Sequence, residues 1–129
     1  MAEPSPLVLI CDDEPALREL VRVTLGPEYR YREAATVGDA LAALGAETPD
    51  VVVLDLMIVG GSGRDVLRAI RADPAFAKTR VLVVSAWSDE THREAVEQEG
   101  ADAFVPKPFT PELLADRVAE LVRTASTGT

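Results

Sequence analysis

Five short apolar runs, each stopping at a polar or charged residue and each followed by a segment of helical spacing, constrain this chain more than any other feature. The runs are residues 7–11, 51–54, 81–84 and 103–105, with a weaker, more polar one at 29–34. Continuous aliphatic runs of this length read as strands buried on both faces. Alternation of such strands with helices predicts a parallel sheet covered on both sides. Right-handed crossovers then favour the strand order 2-1-3-4-5. In open sheets of this kind, sites form beyond the carboxyl ends of the strands, where the winding reverses. Here that point falls between the first and third strands.

The intervening segments carry their own punctuation. Pro15 opens a helix that Gly26-Pro27 stops. Thr36 to Asp39 matches a capping box for a helix reaching about Ala46. Ser62 caps a third helix, with Asp65 three residues on, and Asp73-Pro74 ends it. Residues 90–99 form a polar helix with little apolar surface beyond Ala95 and Val96, closed by Gly100. Thr110-Pro111 is an N-cap with proline at the first helical position. Residues 125–129 read as a frayed end or the start of a linker. The domain is expected over residues 7–123, with 1–6 an N-terminal tail and 124–129 a C-terminal tail or linker.

Composition narrows the function. With a net charge of −9, binding to nucleic-acid backbone or to an anionic membrane surface is not expected, since both need clustered cations. No run approaches the ~18 apolar residues of a membrane span, and residues 1–6 lack the features of a signal peptide. A cytoplasmic protein is expected. Cys11, the single cysteine, can form no internal disulfide.

Four strand-end stops make one chemical set: Asp12-Asp13, Asp55, Ser85 and Lys107. Three carboxylates within ~4 Å of one another repel by about 4 kcal/mol per pair at an effective dielectric of 20. A proton or a cation must relieve that repulsion. Oxygen-only donors favour Mg²⁺, or Mn²⁺, over Zn²⁺. His92, the only histidine, lies in the polar helix and reads as a surface residue. Beside such an ion a carboxylate can act as nucleophile toward a phosphoryl group. Asp55 is the best candidate, alone on the central strand. Lys107 adds weight, because the chain has only two lysines against eleven arginines and places this one between prolines. A compact charge on a flexible stem suits an oxyanion that comes and goes.

These pieces together resemble the receiver domain of bacterial two-component response regulators. The matching residues are Asp12-Asp13, the run Val-Val-Val-Leu-Asp55-Leu-Met with Gly63 eight residues past the aspartate, Val-Val-Ser85-Ala, and Phe104-Val-Pro-Lys107-Pro-Phe. The resemblance implies a flavodoxin-like (βα)5 fold and a role for each residue. Asp55 would accept the phosphoryl group. Asp13 would bind Mg²⁺ directly, Asp12 through water, and the Met57 carbonyl would be a further ligand. Ser85 would be the switch hydroxyl, Lys107 would pair with the acceptor, and Phe104 would be the aromatic that moves inward on activation. The donor would be a histidine kinase or phosphotransfer protein. A downstream protein would read the face made by the fourth helix, fifth strand and fifth helix.

Two departures stand out. Val59 occupies a position where the family usually has proline, so the loop 58–61 is expected to be more mobile. Trp87, two residues after Ser85, is bulky where size affects access to the site, and is expected to modulate phosphoryl gain or loss. Other readings compete less well. Phosphoaspartate hydrolases resembling haloacid dehalogenases place a second aspartate where this chain has Met57. A flavin carrier would need a phosphate loop where Asp12-Asp13-Glu14 would repel the ligand. A phosphorylation-independent binding module typically lacks the acidic pair or the lysine. The protein is expected to promote its own phosphorylation rather than turn over a separate substrate. No output domain is visible after Val122, which suits a single-domain regulator or one part of a longer one.

Overall fold

A computed structural model describes residues 5–86 and 90–127. The strands are β1 (Leu7–Cys11), β2 (Arg30–Ala34), β3 (Val51–Asp55), β4 (Arg80–Ser85) and β5 (Ala103–Pro106). The helices are α1 (Pro15–Leu25), α2 (Val37–Ala46), α3 (Gly63–Ala72), α4 (Glu90–Gln98) and α5 (Pro111–Thr127), with a short 3₁₀ turn at Pro74–Phe76. All strand pairs are parallel, in the order β2-β1-β3-β4-β5. The expected α/β, flavodoxin-like arrangement is thus the one observed.

Every residue of β1 and β3 is buried, as the unbroken apolar runs require when helices cover both faces. Side-chain alternation divides the core into two layers. Val8, Ile10, Val51, Val53, Leu82, Val84 and Val105 pack against Val21 and Leu25 of α1 and Leu114 and Val118 of α5. Leu9, Cys11, Val52, Leu54, Val83 and Phe104 pack with residues of α2, α3 and α4 on the other face. Strand β2 is mostly exposed, and its charged residues protect it as a sheet edge.

The expected caps are present. The Thr36 hydroxyl accepts from the Asp39 amide, one half of the box expected there. Ser62 and Asp65 form a reciprocal capping box, and Thr110 accepts from the Leu113 amide. Helix α5 runs further than its small, polar end suggested. It continues through Thr127, because Ala125 is small enough to be buried where it docks. In the loop after β3, the Val59 carbonyl accepts from the Val37 amide at 2.9 Å, tying the loop to the start of α2. Among the described residues no helix is long and apolar enough to cross a membrane.

Candidate functional site

The register brings the strand-end residues to one edge. Cys11 pairs with Leu54, Asp55 with Val84, and Ser85 with Pro106. Asp12 and Lys107 each lie one residue beyond their strands, so both come level with the end of β3. Oxygens of Asp12, Asp13 and Asp55 lie within 4.8 Å of one another. Asp12 and Asp55 are buried, at 5% and 6% exposure, and Asp13 is the accessible member. The cluster opens into a cleft of about 290 Å³ lined by Asp13, Glu14, Asp55, Met57, Ala86 and Lys107.

Lys107 Nζ lies 2.8 Å from Asp55 Oδ2 and 3.2 Å from Asp12 Oδ2. The other oxygens of those carboxylates are also bonded. Asp55 Oδ1 accepts from the Met57 amide at 2.9 Å, and Asp12 Oδ1 accepts from the Glu14 amide at 2.9 Å. The Lys107 amide donates to the Ser85 carbonyl at 2.9 Å, which fixes the root of the lysine to β4. The Lys107–Pro108 peptide is cis.

Burial pushes the Asp12 carboxyl above the usual carboxylate range. The Glu14 amide and the Lys107 ammonium pull against that rise, and the Asp55 charge adds to it. Burial alone would lower the Lys107 ammonium, but its bond to Asp55 and the charges of Asp55 and Asp12 outweigh that, so it is raised. Lys107 is therefore a firmly held cation at neutral pH. Burial, with Asp12 beside it, pushes the Cys11 thiol up to about 12, which leaves it inert as a nucleophile.

The donor set fits a hard divalent cation: carboxylate oxygens only, three charges against one ammonium, and an opening to solvent. Met57 contributes its amide to Asp55 and exposes its side chain. Ser85 is fully buried at the end of β4. Strand alternation puts Ser85 and Phe104 on the same face, the one that α4 covers. Phe104 is packed inward at 7% exposure, with the Arg93 guanidinium carbon 5.9 Å from its ring centre. Trp87 lies outside the described residues.

The motif glycine has a plain steric reason. A Cβ on Gly63 would lie 2.3 Å from the Asp55 carbonyl oxygen and 2.7 Å from Leu56 Cα. Helix α3 therefore begins against the backbone of the buried aspartate. One participant was not visible in the sequence. Arg18 Nη1 donates to the Asp12 carbonyl at 2.6 Å, while its Nε donates to Glu33 on β2 at 2.9 Å. Its partners are 6 and 15 residues away, and no local pattern announces such a link.

Comparison with known proteins agrees with this geometry. The family model for the response regulator receiver domain matches residues 8–119. The transcriptional regulatory protein ResD of Bacillus subtilis is 36% identical over 92% of this chain and 49% of its own length. TrcR of Mycobacterium tuberculosis, also a transcriptional regulatory protein, is 37% identical over 97% of this chain and 49% of its own. The chain thus spans about half the length of these relatives. The receiver domain of NtrX from Brucella abortus superposes with a TM-score of 0.82 at 28% identity, covering 91% of this chain and 98% of that one. On fold, acidic edge and sequence alike, the chain belongs to the response regulator receiver domain family.

Proposed function

We propose that this domain, residues 7–123, takes a phosphoryl group onto Asp55 from a phosphohistidine in a histidine kinase or phosphotransfer protein. The observation that carries the reading is Lys107 Nζ held between Asp55 and Asp12, with Asp13 close by. A carboxylate oxygen of Asp55 forms a bond to phosphorus as the phosphorus–nitrogen bond of the donor breaks, and the leaving imidazole takes up a proton. Lys107 follows the charge from the carboxylate to a phosphoryl oxygen. Asp12, Asp13 and the Met57 carbonyl, with Asp55, would hold Mg²⁺ or Mn²⁺. Such an ion supplies neutralisation of the phosphoryl oxygens.

Ser85 is the group we assign to the phosphoryl oxygen on the α4 side, with Phe104 the neighbour that registers its movement. Phosphorylation would then shift a population between two arrangements of the α4–β5–α5 face, read by a downstream protein. The domain works in the cytoplasm as a phosphoprotein and not as a turnover enzyme on a separate substrate. It acts alone or as one part of a longer regulator. Its acidic charge does not suit a nucleic-acid or membrane contact of its own. The related DrrB receiver domain has been solved in a form described as BeF₃-activated, at a TM-score of 0.81 and 28% identity, which supports a phosphoryl-responsive site.

Mass spectrometry after incubation with Mg²⁺ and acetyl phosphate tests the reading. The wild type should gain one phosphoryl group, and Asp55→Asn should lose at least about 100-fold in initial rate, as when a covalent nucleophile is removed. Labelling of Asp55→Asn at the wild-type rate would refute the assignment. A domain that binds its partner without phosphorylation would show no label on either protein.

A further inference from the structure

The acidic edge leaves one partly buried cation without a role. The Arg18 side chain on α1 is 15% exposed. Its guanidinium spans two acceptors, the Asp12 carbonyl at 2.6 Å and Glu33 Oε1 at 2.9 Å. The second oxygen of Glu33 lies 3.0 Å from Arg22 Nε, an ion pair without hydrogen-bond geometry, so two arginine charges face this carboxylate. The next residue on β2 is Ala34, whose carbonyl accepts the Asp12 amide at 3.0 Å. Strand β2 therefore grips residue 12 twice, its N–H directly and its C=O through Glu33 and Arg18.

The gripped carbonyl belongs to the peptide that joins Asp12 to Asp13. A peptide is planar, so fixing its oxygen fixes the plane from which both carboxylates hang. Arginine suits this task because its rigid fork can serve two acceptors in different directions. A lysine could hold the carbonyl, but it lacks the fixed fork that keeps Glu33 engaged at the same time.

We propose that Arg18, aimed by Glu33, is a positioning residue that sets the Asp12–Asp13 peptide so that the two carboxylates converge on a divalent cation. The inference rests on the cation-dependent reading given above. It also gives the exposed edge strand β2 a part in the chemistry. Groups that orient metal ligands typically change affinity 10- to 100-fold when removed.

Mn²⁺ binding followed by electron paramagnetic resonance is the direct test, joined to phosphorylation by acetyl phosphate across a Mg²⁺ series. Arg18→Gln should weaken Mn²⁺ binding about 10-fold. It should raise the Mg²⁺ concentration for half-maximal labelling more than it lowers the rate at saturation. Arg18→Lys should recover part of the loss, and Glu33→Gln should show a smaller shift of the same kind. If Arg18→Gln lowers the urea midpoint but binds Mn²⁺ within twofold of wild type, the link is only a structural tie and the inference fails. If Arg18→Gln does not fold, Glu33→Gln decides, and unchanged affinity there overturns the idea. Failure of the underlying reading looks different: wild type would not bind Mn²⁺, or Asp13→Asn would bind it equally well, and the role of Arg18 would fall with it.

Discussion

Helices α3 and α4 lie on the same face of the sheet and are held there by different forces. Helix α3 buries Gly63, Val66, Leu67 and Ile70. Helix α4 buries only Val96 among its described residues. Among the described residues its further ties include charged ones: Arg93 over Phe104, and Glu99 just past its end, paired with Arg64 and Arg68 of α3. Apolar burial gives an element many contacts that must all be lost together. Ion pairs at a surface contribute little each and exchange readily with water. The helix that starts against Asp55 is therefore fixed by packing, and the helix beside Ser85 and Phe104 is tethered lightly. That division suits a domain that must hold its acceptor still while a neighbouring face changes.

The sharpest way to break this contrast is to cut one buried apolar anchor from each helix. Ile70→Ala should destabilise the protein by about 4 kcal/mol, within the range for emptying a fully buried aliphatic site. Val96→Ala should cost about 2 kcal/mol, because fewer methyl groups leave and a lightly held helix can settle into the space. Urea denaturation of both variants gives the comparison. Equal losses would mean that α4 is anchored as firmly as α3.

Gly63→Ala probes the other end of α3 and should cost about 3 kcal/mol, the upper part of the range for overpacking. The added carbon meets backbone, the Asp55 carbonyl and Leu56 Cα, so no side chain can turn away to admit it. The start of α3 must shift, and Asp55 with it. Phosphorylation by acetyl phosphate should slow together with the loss of stability. Normal labelling in a folded Gly63→Ala protein would show that the acceptor is positioned independently of α3.

The two helices were also unequally legible in the sequence. Val66, Leu67 and Ile70 recur at helical spacing behind Ser62, and Asp65 completes the cap, so α3 could be read locally. The polar character of α4 was equally plain, but its ties were not. Arg64 pairs with Glu99 across 35 residues, and Arg68 pairs with the same carboxylate across 31. The acid cluster was legible because strand ends are marked by abrupt polarity and parallel order places those ends together. Arg18 and Glu33 were not, because their bond joins a helix face to an edge strand whose charges look like ordinary edge protection. The full extent of α5 escaped for a related reason: a small, weakly apolar end gains its helical state from docking, here through Ala125, which spacing does not reveal.

The smallest effect concerns the charged tether itself. The bond from Arg64 holds the Glu99 carboxyl below its ordinary range; burial opposes this, and Arg68 reinforces it. A carboxyl whose folded value is depressed stabilises the fold above its unfolded value and loses that contribution as pH falls through the folded one. Glu99→Gln should therefore cost about 0.5 kcal/mol at pH 7, in keeping with a largely solvated network. The cost should shrink as pH drops below ~4.3 toward and through the depressed folded value. Urea midpoints at pH 7 and at successively lower pH measure this directly. Hydrogen exchange should rise in α4 and leave the amides of α3 unchanged, since only α4 relies on the pair to stay in place. Faster exchange in both helices would show that Glu99 supports the shared core, and the contrast between a packed and a tethered helix would lose its physical basis.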